Sequence, residues 1–584
     1  MSVLTPMSVN SNLRLSGRAR KSTGSHYTPS ILSDFVAHQI VDAWASKKSA
    51  PEVCILDPAV GDGELLHSIM REASNQMDSK LHIFGFETNE AALNAAKARI
   101  RKCFPKARMS MMCESFLDFV LESYGLTRQN TLFERMSVNK FDLVIANPPY
   151  VRTQVMGAKR ASELSRRFNL SGRVDLYYAF IQGIAATLRP GGIAGIIVSN
   201  RFMTTKSGAS IRASIREEFD ILHVWDMGDT KLFEAAVLPA VLLLRKKDKT
   251  GNSAVSLFTT IYTTRSEGES LHCESVIDAI NCAGIVDVKG GKRFLVQHGS
   301  LDCGSGATGV WRIATPNSDA WLEQVDRHTF CTFGYLGKVR VGVKTCADKV
   351  FIGSHWDQLP ENRRPELLRP LATHHVARRF RAIVPELQQR ILYTHEVVGG
   401  KRVAVDLKKY PRTAQFLRRF RAELEARKYV LDAGRNWYEI WVPQDPNAWT
   451  SPKLVFPDIS ERPTFWMDLT GSVVNGDCYW LMCENVGQTE LLWLALAVAN
   501  SSFIETYYDH RFNNKLYAGR RRFITQYVQE FPLPSCETDI GKELIEIAKR
   551  IYELTPSREA SRLERRLNDL VWFSFGFSLK ETSR

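Results

Sequence analysis

Asn147-Pro148-Pro149-Tyr150 follows an apolar run, Phe141-Asp142-Leu143-Val144-Ile145-Ala146, that reads as a buried strand. Two hydrogen-bond acceptors adjoin there, the Asn147 side-chain oxygen and the Pro148 carbonyl. Such a pair suits an exocyclic amine, because each acceptor takes one N–H. The amine of a nucleobase is a poor nucleophile, since its lone pair is delocalised into the ring. Hydrogen bonds to both N–H groups favour the pyramidal, electron-rich form that attacks an electrophilic methyl in line. Pro148 and Pro149 restrict the loop, so the acceptors are preorganised. Tyr150 supplies a π-face for a base taken out of its stack. The competing reading is a rigid turn without chemistry. The position at a strand end, with a glycine-bearing loop upstream, favours the chemical one.

That upstream loop is Asp57-Pro58-Ala59-Val60-Gly61-Asp62-Gly63, after the short strand Val53-Cys54-Ile55-Leu56 and before a helical stretch. Glycines let the backbone approach a ligand closely, and a helix N-terminus suits a carboxylate such as the methionyl one. The next strand, His82-Ile83-Phe84-Gly85-Phe86, ends in Glu87, placed to accept from both ribose hydroxyls of a nucleoside cofactor. Alone, this unit is a weak signal that a dehydrogenase would share. The Asp57-Pro58 opening and the lack of a full G-x-G-x-x-G favour S-adenosylmethionine. A literal G-x-G-x-x-G at Gly304, Gly306 and Gly309 follows no clear strand and opens no helix, and reads as a chance match in a loop.

The order of these motifs resembles the gamma class of DNA amino-methyltransferases, the TaqI-like group. Gly24-Ser25-His26-Tyr27-Thr28-Pro29 is similar to its N-terminal cofactor motif, and the Asp57 loop, Glu87 and the Asn147 tetrad follow in the family order. Asp175-Leu176-Tyr177 and the Pro190-Gly191-Gly192 turn also match. Phe233 matches a second aromatic that stacks on the flipped base. The resemblance implies a cofactor site of Tyr27, Thr28, Asp57, Pro58, Ala59, Gly61, Gly63, Glu87, Ser115 and Asn147. It implies an adenine site of Asn147, Pro148, Pro149, Tyr150 and Phe233, acting on the N6 amine with no metal. Gly172-Arg173-Val174-Asp175-Leu176-Tyr177, Asn436-Trp437-Tyr438-Glu439-Ile440-Trp441-Val442-Pro443 and Asn514-Lys515-Leu516-Tyr517-Ala518-Gly519-Arg520-Arg521-Arg522 resemble the BseCI/ClaI-type enzymes, which read ATCGAT. A similar target is implied. Two positions depart from the pattern. Val60 stands where Cys is common, a position that mainly packs, and Ser115 stands where Asp usually contacts the cofactor adenine. A hydroxyl can still accept that bond, or Asp118 can reach in.

Strands alternating with amphipathic helices over residues 28–246 position these motifs. That alternation predicts an α/β fold with a doubly wound, mainly parallel sheet, and the resemblance implies that this is a Rossmann-like methyltransferase sheet with a mixed α+β C-terminal DNA-recognition domain after it. The expected division is a disordered leader over 1–21, a catalytic domain over 22–250 and a connecting region over 251–330. A target-recognition domain over 331–535 and a helical element over 536–584 complete it. In the fourth of these, basic and aromatic residues interleave, and Arg520, Arg521, Arg522 and Gln526 are expected to face DNA.

The composition agrees with a nucleic-acid partner. Lys and Arg number 77 against 63 Asp and Glu, a formal charge of +14, which fits a polyanion such as double-stranded DNA. The 11 cysteines form no C-x-x-C pair, so neither a zinc site nor a disulfide framework is signalled, and a cytoplasmic location is expected. The apolar run 491–499 is too short to span a membrane, which takes ~20 residues, and reads as a buried helix. A monomer is expected, with any cognate restriction endonuclease a separate protein. Cytosine-C5 methylation needs a cysteine nucleophile, typically in Pro-Cys, a dipeptide missing from the chain. Cytosine-N4, RNA or protein amino-methylation, and a non-catalytic DNA-binding specificity protein, are the alternatives.

Overall fold

The structure, a computed structural model, describes residues 28–45, 50–123, 140–150, 158–168, 170, 175–232, 238–248, 255–383, 385–484, 489–512, 516 and 519–578. Tyr27, Phe233 and the 1–21 leader lie outside these. The chain divides into two compact units, Met1–Thr315 with Leu516–Gly519, and Pro316–Lys515 with Arg520–Arg584.

The first unit is built on one twelve-stranded sheet. β1 (Glu52–Asp57), β2 (Lys80–Phe86), β3 (Arg108–Met112), β4 (Phe141–Ala146) and β5 (Leu188–Ser199) lie in the order β3-β2-β1-β4-β5, all parallel. β7 (Pro239–Lys246) lies antiparallel between β5 and β6 (Phe219–Asp226). Strand order reverses between β1 and β4, and in such sheets the crevice at the carboxyl ends flanking that reversal receives ligands.

Side chains alternate across this sheet, so adjacent residues enter different cores. Ile55, Ile83 and Leu143 pack against α1 (Ser30–Ala45), α2 (Glu64–Gln76) and α3 (Glu90–Cys103). Leu56, Phe84 and Val144 pack against α4 (Phe116–Ser123), α5 (Ala158–Arg167), α6 (Leu176–Thr187) and α7 (Ala209–Glu218). Burial on both faces is why the parallel strands read as continuous apolar runs.

Residues 257–314, expected to belong to a connecting region over 251–330, instead build the far side of the sheet. β8 (Leu257–Thr263) pairs parallel with β6 and extends the sheet. β9 (Leu271–Cys273), β10 (Gly284–Val288), β11 (Lys292–Asp302) and β12 (Arg312–Ala314) complete it. Residues 304–309 form the loop between β11 and β12. The Arg212 guanidinium donates to the carbonyls of Thr308 and Gly309 at 2.7 Å, so this G-x-G-x-x-G serves as structure.

The second unit begins at the helix Pro316–His328, whose Leu322 and Val325 join its core. One of its four-stranded sheets runs in the order Arg340–Val341, Cys478–Met482, Lys453–Pro457 and Trp466–Asp468. The apolar run 491–499 forms the buried helix Glu490–Ala499. The helices Asp539–Leu554 and Arg558–Ser574 close over it through Leu544, Ile547, Ile551, Leu567 and Val571. The described part of the segment 536–584 therefore shares this core. Among the described residues, no helix is long and apolar enough to cross a membrane.

Candidate active site

The loop after β1 carries the first group of side chains. Asp57 is fully buried, and its Oδ1 accepts the Ala59 N–H at 2.9 Å. Its Oδ2 is buried without a hydrogen-bond partner. Burial pushes the Asp57 carboxyl up to about 7, opposed by the Ala59 N–H and reinforced by Glu87 and Asp62. A buried carboxylate with a free oxygen is unfavourable unless a donor meets it. An ammonium or hydroxyl donor is the chemistry that fits.

Gly61 and Gly63 hold positive φ angles of 56° and 83°, which side-chain-bearing residues rarely adopt. Gly63 also caps α2, and a Cβ there would lie 2.9 Å from the Ala96 Cβ. Nothing lies within 4 Å of the Cβ position at Gly61, so that side of the loop is open.

Glu87, after β2, is held by the same loop. Its Oε2 accepts the Gly61 N–H at 3.0 Å and its Oε1 the Asn89 N–H at 2.8 Å. Each oxygen keeps a second lone pair, so the carboxylate is oriented and still able to accept from a diol. Ser115, after β3, caps α4: its Oγ accepts the Asp118 N–H at 3.3 Å. Asp118 itself is exposed. The Ser115 hydroxyl thus has a structural task.

The second group lies at the end of β4, beside β1 in the sheet. The Asn147 Nδ2 donates to Thr28 Oγ1 at 2.9 Å. Its Oδ1 accepts the Tyr150 hydroxyl at 3.0 Å, and that hydroxyl also lies 3.2 Å from the Ile197 carbonyl. The Asn147 amide is therefore fixed in orientation, with its oxygen turned toward a donor. Pro148 is buried and Pro149 half-buried.

Tyr150 is placed differently from the sequence expectation. Its ring meets Tyr177 edge-on at 6.0 Å, and burial raises its phenol far above the ordinary value. In this state it occupies the acceptor that the sequence reading assigns to a substrate amine.

Sequence reasoning missed a buried network at the ends of β5 and β6. Asn200 Nδ2 donates to Asp226 Oδ1 at 3.0 Å, and the Tyr262 hydroxyl donates to Asp226 Oδ2 at 2.6 Å. Asp226 Oδ1 also accepts the Gly228 N–H at 3.1 Å, and burial pushes its carboxyl up to about 6. This carboxylate anchors the start of the turn that follows β6. Asn200 sits in an unremarkable Ser-Asn-Arg-Phe string, and the third member, Tyr262, lies in the stretch taken for a connector.

The residues expected to face DNA separate into two kinds. Arg521 places Nε and Nη2 on Asp509 at 2.8 Å each, with Glu505 at 3.7 Å. Arg522 forms the same fork with Asp458 at 2.9 Å. Both guanidinium groups brace the short pairing of Arg521–Arg522 with Ile459–Ser460. Arg520 is exposed and Gln526 half-buried.

Two family models match the chain. The Eco57I restriction-modification methylase family matches residues 81–233, and the TaqI-like C-terminal specificity domain matches 401–533. M.BanIII, a type II methyltransferase of Aneurinibacillus aneurinilyticus, is 37% identical over 574 residues, 95% of this chain and 97% of its own. M.BstVI, a type II methyltransferase of Geobacillus stearothermophilus, is 23% identical over 545 residues, covering 88% and 90%. The nuclease-deletion mutant of the Type ISP restriction-modification enzyme LlaGI, solved with a DNA substrate mimic, shares the fold. Its TM-score is 0.53 at 13% identity, over 91% of this chain and 55% of that one. With these relatives and this sheet, the chain belongs to the TaqI-like type II methyltransferase family, the S-adenosylmethionine-dependent DNA methyltransferases of restriction–modification systems.

Proposed function

We propose that this enzyme methylates the N6 amine of an adenine flipped out of double-stranded DNA. The observation that carries the reading is the anchored Asn147 amide. Its nitrogen is held by Thr28 and its oxygen already accepts one O–H donor at the end of β4. An N–H of the target amine takes that position, and the Pro148 carbonyl takes the other. The Tyr150 hydroxyl gives way, so Asn147 Oδ1 stays hydrogen-bonded throughout and desolvation costs little. The freed Tyr150 ring, with Phe233, holds the base by stacking.

S-adenosylmethionine supplies an electrophilic sulfonium methyl. Asp57 is suited to its ammonium, Glu87 to its ribose diol, and the open side of Gly61 to close backbone approach. Thr28, Ser115 and the backbone of Pro58, Ala59 and Gly63 line the same pocket in this reading, with Tyr27 beyond the described residues. The N6 nitrogen forms its new N–C bond as the C–S bond breaks, and the nitrogen then loses a proton to water.

The second unit selects the site in this reading, and the BseCI/ClaI-like strings support a target like ATCGAT. The enzyme acts as a cytoplasmic monomer, with the restriction endonuclease a separate protein. Radiolabelled transfer to duplex DNA tests the assignment. Asn147→Ala abolishes transfer while duplex binding persists; near-normal turnover in that variant contradicts it.

A further inference from the structure

Beside the hairpin of His395–Val398 and Lys401–Ala404 the second unit has a cleft of about 450 Å³. Arg402 lines it from the hairpin, and Arg435, Asn436 and Glu439 line it from the following loop. We infer that this cleft reads base edges of the recognition sequence, Arg402 and Arg435 through guanine and Asn436 through adenine. The inference rests on the reading that the enzyme modifies duplex DNA.

The hydrogen bonds carry the argument. Arg435 is tied by one contact, Nη1 to the Trp441 carbonyl at 2.7 Å, and its guanidinium carbon lies 4.9 Å from the centre of the Trp441 ring. Arg402 is tied by Nη1 to the Gln444 carbonyl at 3.2 Å. A single backbone carbonyl fixes each group in place. Among the described residues, no carboxylate forms an ion pair with either one. The Nε and Nη2 donors remain for a ligand, and a guanidinium fork matches guanine O6 and N7. Arg521 and Arg522 differ in kind, because aspartates already fill their forks.

Asn436 is exposed and equally positioned. Glu439 Oε1 accepts its backbone N–H at 2.7 Å and its Nδ2 at 3.2 Å. One Nδ2 hydrogen and Oδ1 are left over, the donor–acceptor pair that matches adenine N7 and N6. Glu439 is thus a positioning residue. Its other oxygen, Oε2, faces the buried His395 at 3.4 Å. Burial, with the nearby Arg402 and Arg435 charges, pushes the His395 imidazole down to about 4 despite Glu439, so it is neutral near pH 7. The cleft then holds two cations and one carboxylate. That balance suits DNA, while the free forks suit base edges.

The test begins by mapping the sequence that the wild-type enzyme methylates in the genomic DNA of an expressing host. Duplexes carrying that sequence, and every single-base-pair change of it, are then measured for binding at fixed salt. Arg402→Ala, Arg435→Ala and Asn436→Ala are compared. Arg402 and Asn436 are exposed, so their variants fold, and Arg435→Lys keeps the charge while removing the fork. The expected result is a loss of about 5- to 150-fold on the mapped sequence, with discrimination lost at one base pair and kept elsewhere. An equal loss on every sequence, with a shallower salt dependence, means phosphate contact and overturns the inference. So does unchanged discrimination at every position. If the wild type methylates no DNA, the underlying reading falls first.

Discussion

Thr28 Oγ1 accepts the Asn147 amide at 2.9 Å across 119 positions of the chain. A residue two positions before α1 thereby sets the orientation of an amide at the end of β4. Thr28→Val keeps the shape and removes the acceptor. The amide can then rotate, and its oxygen is no longer directed. Single-turnover transfer is expected to fall about 10- to 100-fold, or roughly 1.4–2.8 kcal/mol of barrier. Thr28→Ser is expected to restore it. Cofactor affinity measured alongside separates this from a binding defect.

The hydroxyl that Tyr150 places on Asn147 and the stacking proposed for its ring can be separated by substitution. Tyr150→Phe removes the hydroxyl that bridges Asn147 and Ile197 and keeps the ring. Transfer is expected to stay within about threefold, because stacking persists and the competitor for Asn147 Oδ1 is gone. Tyr150→Ala is expected to lose roughly 5- to 150-fold, the range of one base–aromatic stack at about 1–3 kcal/mol. Steady-state rates on one duplex compare the pair.

If Asp57 pairs with the cofactor ammonium as proposed, cofactor binding depends on pH. Its carboxyl titrates near 7 because burial penalises the charge. A cation pairs with the ionised form, so affinity is expected to rise with pH up to about 7 and to weaken below it, by at most about tenfold per unit. The cofactor ammonium, as an α-amino group, loses its proton above about 8. Calorimetry from pH 5.5 to 9 is expected to give a bell with its top between these values. Asp57→Asn is expected to lose the acid limb.

Three consecutive arginines are expected to behave differently. Arg520→Ala is expected to lower the salt dependence of duplex binding by about one phosphate contact. Arg521→Ala removes both bonds to Asp509 from a largely buried guanidinium, and is expected to destabilise the protein by about 1–3 kcal/mol. Arg522→Ala is expected to loosen the pairing with Ile459–Ser460. Denaturant unfolding alongside salt titrations of binding distinguishes the two effects.

Much of the first unit was legible because parallel strands and amphipathic helices leave strong local patterns. Phe141–Ala146 is bounded as the apolar run suggests, and 491–499 is the buried helix its composition implies. Residues 257–314 were not legible as sheet. β8 carries buried Thr259 and Thr260, whose hydroxyls blur the apolar pattern, and β9 and β12 span three residues each. A signal was present at Gly290-Gly291, which turns the chain between β10 and β11 with both φ angles positive. At the site, residue types foretold acceptors at Asn147 and a carboxylate at Glu87. Sequence could not show that Tyr150 caps Asn147, or that Arg521 and Arg522 face aspartates, because those partners depend on tertiary placement. The Arg435-Asn436 pair stood among many basic and aromatic residues, and only the geometry of its hydrogen bonds sets it apart.

The proposed presentation of an adenine amine by Asn147 is tested most directly by the product. Duplex DNA is incubated with enzyme and methyl-labelled S-adenosylmethionine, digested to nucleosides and resolved by mass. All label in N6-methyldeoxyadenosine is the predicted result. Label in N4-methyldeoxycytidine, or no label in DNA, contradicts it.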